Sequence, residues 1–300
     1  MIDKLKRFGE VSENVLLSKL TTLKIGGPCK AVFYPFDVIG LIAGIQLLNN
    51  ENIDYRIFGH GSNILANDEP YEGVIIKFNR SINSTYILDN EVYVEAGASL
   101  VLLSDLAMKH SLSGLEWAAG IPATIGGALY MNAGAYKQSM SDIVKEVLVL
   151  RDNKLDWISG AQCEYGYRSS IFQEHPDWII LAAKLQLKHG DSEQIKQIMA
   201  RRKQQRLETQ PLDAPSCGST FRNPKDHFSW ELIQKSGFRG FSIGGAQVSM
   251  KHANFIINTG HATSSDMIKL IQLIQQSVKE KYQVDLQLEV EQFNWTKKSQ

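Results

Sequence analysis

Residues 120–136 read Gly120-Ile121-Pro122-Ala123-Thr124-Ile125-Gly126-Gly127-Ala128-Leu129-Tyr130-Met131-Asn132-Ala133-Gly134-Ala135-Tyr136. Few folds use glycine and alanine this densely, because small side chains give up core volume and let the backbone approach something else closely. Two uses fit: a Gly/Ala helix start packed tightly within its own domain, or a surface against which a large flat ligand lies. A second loop, Gly59-His60-Gly61-Ser62-Asn63, directly follows the strand-like run Tyr55-Arg56-Ile57-Phe58. Glycines here let successive amides turn toward one centre, as a diphosphate requires, and Ser62 and Asn63 can add side-chain donors. A tight turn accounts for the same glycines. The loop lacks the Walker lysine and the third glycine of a dinucleotide fingerprint, so neither of those sites applies. Together the two loops suggest a dinucleotide, its diphosphate on the first and a ring system near the second.

The surrounding pattern can carry such loops. Apolar runs at 31–34, 55–58, 74–78, 85–88, 92–95, 146–151 and 178–187 have strand character, and 37–50, 99–110 and 192–208 have helical spacing. Asp37 is placed to cap the first helix, which makes the opening of the chain a βαβ pattern, and Asp89-Asn90-Glu91 joins two strands as a hairpin turn. Pro211 and Pro215 cannot continue the long polar helix before them. A boundary is therefore expected there, separating 1–209, itself divided near 80–90, from a smaller domain at 210–300. In the latter the pattern predicts a helix over 229–236, a strand over 254–258, a helix from Ser264 or Ser265 to about 282, and a last strand over 285–290.

Charge and composition narrow the function. Thirty-two basic residues balance thirty-two acidic ones in 300, so no global field draws the chain to nucleic acid or a membrane surface. The charged start, Met1 to Arg7, is unlike a signal peptide, and no run reaches the roughly 18 apolar residues of a membrane span, so a cytoplasmic location is expected. Cys29, Cys163 and Cys217 are odd in number and far apart, with no clustered histidines; neither disulfides nor a metal site is expected. Arg201, Arg202 and Lys203, with Arg206, read as a solvated helix face leading into a binding cleft rather than a nucleic-acid contact, since no aromatic platform is interleaved.

One serine needs separate treatment. Ser219, in Gly218-Ser219-Thr220-Phe221, has no histidine base beside it, so it either satisfies a turn or does something other than nucleophilic attack. Further motifs accompany it in chain order: Thr22 to Pro28, Gly59 to Leu65, Gly120 to Tyr136, Tyr165-Gly166-Tyr167-Arg168-Ser169-Ser170, Gly218 to Pro224, Gly244 to Val248 and Leu288-Glu289-Val290. With this set, covering residues 19–292, the sequence resembles the UDP-N-acetylenolpyruvoylglucosamine reductases. The resemblance implies an α+β chain: an FAD-binding fold of the vanillyl-alcohol-oxidase type, in two α+β subdomains, followed by a smaller α+β substrate-binding domain. It implies NADPH as reductant and a UDP-sugar as substrate. It also implies FAD contacts from Gly59, Gly61, Ser62, Asn63, Gly120, Thr124, Gly126, Gly127, Asn132 and Ala133. The short interval between Arg168 and Gly218 resembles the compact subclass that lacks an extra substrate-covering loop. No obligate protein partner is evident.

The implied reaction tests the residues. Hydride addition to an enolpyruvyl ether drives charge into the attached carboxylate and makes the neighbouring carbon basic. A guanidinium at Arg168 can grip that carboxylate through two parallel hydrogen bonds. By family register Glu289 is the second partner, expected to be protonated in the complex or bridged to Arg168. Glu291 lies two residues on and shares its face if the segment is an extended strand. Ser219 needs no base if it delivers a proton to a carbanion-like carbon, the role that the resemblance gives it. Asn223 is a candidate for the sugar or diphosphate, and Arg206 for phosphate, although a solvated helix arginine explains the latter equally well. Tyr136, Tyr165 and Tyr167 read as packing residues with wet hydroxyls. Another FAD-dependent oxidase or dehydrogenase acting on an alcohol or hydroxy acid would keep the glycine loops, but it gives no reason for the Arg168, Ser219 and Glu289 set.

Overall fold

Asp37 starts the first long helix as its chemistry dictates, its carboxylate accepting from the Gly40 amide at 2.7 Å. The helix Val38–Asn50 then buries Leu41, Ile45 and Leu48, one stripe at helical spacing. The computed structural model describes residues 1–78 and 80–295. Gly9–Leu16, Pro28–Pro35, Tyr71–Ile76 and Tyr55–Ile57 form a four-stranded sheet in that order. The helical crossover therefore skips one position, later filled by Tyr71–Ile76, which runs parallel to Tyr55–Ile57.

A second sheet begins at Thr85. Its order is Lys154–Ser159, Val144–Arg151, Ile179–Gln186, Glu91–Glu95, Thr85–Leu88, and every neighbour is antiparallel. The central strand Ile179–Gln186 is buried along almost its whole length, the pattern expected of a strand covered on both faces. The edge strand Lys154–Ser159 escapes a search for apolar runs because its side chains are mixed. Asp152 and Asn153, both at positive φ, are the hairpin signal that marks it.

The chain separates into two compact units. One comprises Met1–Glu13, Ala31–His60 and Gly73–Gln204; the other comprises Asn14–Lys30, Gly61–Glu72 and Gln205–Gln300. Neither is a single stretch, although the last entry into the second unit, at Gln205, lies close to the boundary expected near Pro211. In the second unit the helix Ser264–Tyr282, with the expected bounds, buries Met267, Leu270, Ile271, Ile274 and Val278, and a capping box on Thr263 and Asp266 opens it. Ser242–Ile243, Ala246–Val248 and Ile256–Asn258 form its small antiparallel sheet.

The final strand differs from expectation. Residues 285–290 are not a strand; Leu288 makes one bridge to Phe221, and the strand itself is Glu291–Phe293, parallel to Ile64–Ala66. A β-ladder needs a partner, and here the partner lies far back in the chain, where local pattern carries no information about it. Glu289 and Glu291 therefore do not share one extended strand, which corrects the reading that placed them on the same face.

Candidate functional site

The N–H groups of Gly59, His60, Gly61, Ser62 and Asn63 donate to no acceptor among the described residues. Their carbonyls are anchored from behind: Gly59 by the Lys77 ammonium, Gly61 by the Thr22 amide at 3.2 Å, Asn63 by the Glu291 amide at 2.8 Å. In a planar trans peptide the carbonyl and the following N–H point in opposite directions, so these anchors aim the His60 and Ser62 amides away from them. Unmet donors in succession are the arrangement that an anion satisfies.

The second loop offers the opposite. Thr124 opens the short helix Ile125–Tyr130, its hydroxyl accepting from Gly127 N–H at 3.3 Å, while Ile125 and Gly126 donate to Ala98 and Ala96. With these leading amides satisfied inside the protein, the diphosphate belongs to the first loop. A Cβ at Gly59 would come within 2.3 Å of the Thr124 hydroxyl, so glycine is required where the two loops meet. A Cβ at Gly127 would meet nothing closer than that hydroxyl, at 3.4 Å. An exposed face without side chains beside an amide nest fits a flavin dinucleotide. Gly120, at φ +89°, and Ala133, whose amide donates to Ala128, complete the backbone of this loop.

Two asparagines expected to donate to the cofactor have their side-chain amides engaged elsewhere. Asn63 Nδ2 donates to Glu289 O at 3.0 Å, and buried Asn132 donates to Gly166 O at 2.8 Å while accepting from Ser141 N–H. Asn132 thereby supports the turn that carries Arg168. Gly166 and Ser169 exchange backbone hydrogen bonds, leaving Tyr167 and Arg168 at the tip, with Arg168 at φ +56°. Its guanidinium donates to Gly134 O at 3.0 Å and lies 5.3 Å from the Tyr167 ring, and its carbonyl accepts from Gln173. Gly134 opens the hairpin of Gly134–Ala135 with Gln138–Ser139.

That hairpin changes the reading of the basic cluster. Arg201 and Lys203 are exposed, but Arg202 lies 4.6 Å over the Tyr136 ring, donates to Gln138 Oε1 and receives the Tyr136 hydroxyl on its carbonyl. Tyr165 also departs from expectation: its hydroxyl is buried, faces the Cys163 thiol and has no nitrogen or oxygen partner among the described residues, and burial, with Cys163 beside it, pushes its pKa far up.

In the second unit Gly218 takes φ +79°, and a Cβ there would meet only Ser62 O, at 4.0 Å. Ser219 follows, half-buried, its hydroxyl making no hydrogen bond among the described residues. The next residues are fixed. Buried Asn254 accepts from Thr220 and Phe221 N–H through its carbonyl and side chain, and donates back to Phe221 O. Glu289 N–H donates to Thr220 O at 2.9 Å, which brings Ser219 and Glu289 onto adjoining segments. Asn254 was missed as a support because its only sequence signal is membership of an apolar run. Asn223 is exposed, and its side chain accepts from Ser229 N–H at the start of the helix Ser229–Lys235. Arg206 is half-buried on the last turn of the helix Ser192–Thr209. Cys217 is a packing residue, its thiol pushed up to about 12 by burial. Arg168 belongs to the first unit; Gly61, Ser62, Asn63, Arg206, Ser219, Asn223 and Glu289 belong to the second.

Known proteins resemble this chain in sequence and fold. Residues 210–293 match the family described as UDP-N-acetylenolpyruvoylglucosamine reductase, C-terminal domain, and residues 29–153 match the FAD binding domain. The UDP-N-acetylenolpyruvoylglucosamine reductase 1 of Bacillus cereus is 41% identical over 284 residues, 94% of each chain. The corresponding reductase of Caldanaerobacter subterraneus is 42% identical over 294 residues, 97% of each. The crystal structure of UDP-N-acetylenolpyruvylglucosamine reductase from Thermus caldophilus superposes with a TM-score of 0.83 at 33% identity, covering 95% of this chain and 100% of that one. The grass pollen allergen Phl p 4, which has glucose dehydrogenase activity, shares the fold alone, with a TM-score of 0.51 at 13% identity over 64% of this chain and 44% of its own.

Proposed function

Since the chain belongs to the UDP-N-acetylenolpyruvoylglucosamine reductase family, we infer which of its residues carry each part of that reaction. The enzyme uses NADPH and FAD to reduce the enolpyruvyl ether of UDP-N-acetylenolpyruvoylglucosamine to UDP-N-acetylmuramate, a step of peptidoglycan precursor synthesis. When bound, FAD would supply the hydride-transfer chemistry that links NADPH to the substrate double bond. The amides of residues 59–63 hold the diphosphate, and the face around Gly127 receives the ring system. Arg168 grips the substrate carboxylate and stabilises the charge that develops there. Ser219 Oγ gives its proton to the carbon beside that carboxylate and recovers one from water, while Glu289, as a protonated carboxyl, donates a second hydrogen bond to the same charge.

The observation that carries this reading is the uncommitted Ser219 hydroxyl within a segment whose backbone is otherwise fixed by Asn254 and Glu289. A serine serving only its turn would have bonded to it. Asn223 and Arg206 are proposed to contact the sugar and the phosphates. No helix among the described residues is long and apolar enough to cross a membrane. Two charged, membrane-impermeant substrates support a cytoplasmic site of action.

An anaerobic two-step assay tests the assignment. Flavin reduced with NADPH should reoxidise when UDP-N-acetylenolpyruvoylglucosamine is added; if it stays reduced, the activity is wrong. Ser219→Ala should leave reduction by NADPH unchanged and slow reoxidation by the UDP-sugar about 10²–10⁴-fold. Equal loss in both steps would remove the proton-donor role.

A further inference from the structure

Neither glycine loop contains a permanently charged cation: residues 59–63 and 120–136 have no lysine or arginine. A diphosphate is doubly charged, and backbone amides offer it only partial charges. Behind the first loop, however, stands a cation. Lys77 directly follows the strand Tyr71–Ile76, is 7% exposed, and donates to Gly59 O. No carboxylate among the described residues pairs with it; the titratable group facing it is the His60 imidazole, which also hydrogen-bonds the Pro122 backbone. Burial pulls the ammonium down to about 8. Burial, and then Lys77 itself, hold the His60 imidazole below its usual range, so His60 is neutral above pH 7. An apolar side chain would fill this position at lower cost, because a buried ammonium without a counter-ion is destabilising.

We propose that Lys77 is a positioning residue for the cofactor diphosphate: it pins the Gly59–His60 peptide from behind, aims the His60 amide outward, and supplies the positive charge that both glycine loops lack. This rests on the FAD assignment above.

Two opposite pH trends follow. Without cofactor, the folded value of about 8 lies below the ordinary 10.5, so the unfolded chain holds this proton more tightly and stability rises from about pH 8 to 10.5. A bound diphosphate raises the lysine again, so FAD affinity is full below about pH 8 and weakens above it, by at most about tenfold per pH unit.

The test uses the full chain stripped of FAD, with the FAD dissociation constant read from flavin fluorescence between pH 7 and 9.5. Wild type should show the decline above pH 8. Lys77→Met should bind about tenfold or more weakly at pH 7, show no decline, and melt as apoprotein at the wild-type temperature or higher. Lys77→Arg, charged throughout, should bind well and also lose the decline. Lys77→Met with wild-type affinity and pH profile would overturn the proposal, as would equal losses of apoprotein stability and FAD affinity in both variants. Should Lys77→Met fail to fold, identical pH profiles for wild type and Lys77→Arg would overturn it. A wild-type apoprotein that takes up no FAD at any pH would instead remove the cofactor assignment, and the role of Lys77 with it.

Discussion

At φ +56°, Arg168 occupies the left-handed region, where a side chain costs roughly 1–2 kcal/mol relative to glycine. The turn persists because Asn132 holds Gly166 O, Gln173 holds Arg168 O, and the guanidinium reaches Gly134 O. Strain fixed this firmly is usual where a side chain must be presented in one orientation. Arg168→Gly and Arg168→Ala both remove the guanidinium, but only glycine relieves the backbone. In thermal unfolding the glycine variant should be the more stable of the two by about 1 kcal/mol. Both should accept electrons from NADPH normally and fail to pass them to the UDP-sugar. Equal stabilities would show that position 168 is not strained.

Between elements, the contact that matters for this turn is made by a helix. Arg202, on Ser192–Thr209, covers Tyr136 at the tip of a hairpin where Tyr136 and Lys137 both take positive φ, and the same hairpin supplies the Gly134 carbonyl to Arg168. Arg202→Ala removes a stack worth about 0.5–1 kcal/mol and leaves the hairpin free to shift. We expect kcat for UDP-sugar reduction to fall about tenfold while flavin reduction by NADPH is unaffected. Arg202→Lys, which keeps the charge without the planar stack, should recover only part of the loss. A change in KM alone would point to direct substrate binding by Arg202 instead.

Across the whole chain, the second unit is assembled from three separated segments. Asn258 donates to Leu23 O and accepts from Gly260 and Ala262, Ser264 N–H donates to Asp68, and Glu291–Phe293 pairs with Ile64–Ala66. Phe293 O accepts from Asn67 N–H and Trp295 donates to Leu65 O, so residues 291–295 and 63–67 stabilise one another. Ending the chain after Val290 should therefore abolish hydrogen-exchange protection at residues 64–67 and weaken FAD uptake, since Asn63 O loses its anchor. The strand Ile179–Gln186 should keep its protection; loss there too would mean that the units do not unfold separately.

The sequence alone determined what is written in local periodicity and in short motifs. Helix Val38–Asn50 with its Asp37 cap, the central strand of the larger sheet and the glycine loops rest on residue types at short spacing, whereas Arg168, Ser219 and Glu289 are singled out by the family resemblance of the motifs that hold them. Tertiary structure alone decided which groups are committed and which are available. Asn63 and Asn132 support protein carbonyls, Arg202 braces a hairpin, Lys77 stands behind Gly59, and the Ser219 hydroxyl is left uncommitted. It also decided where the last strand begins, because a ladder forms only when its distant partner is in place. A residue type states what bonds a side chain can make; which of them it makes depends on neighbours brought together from far along the chain.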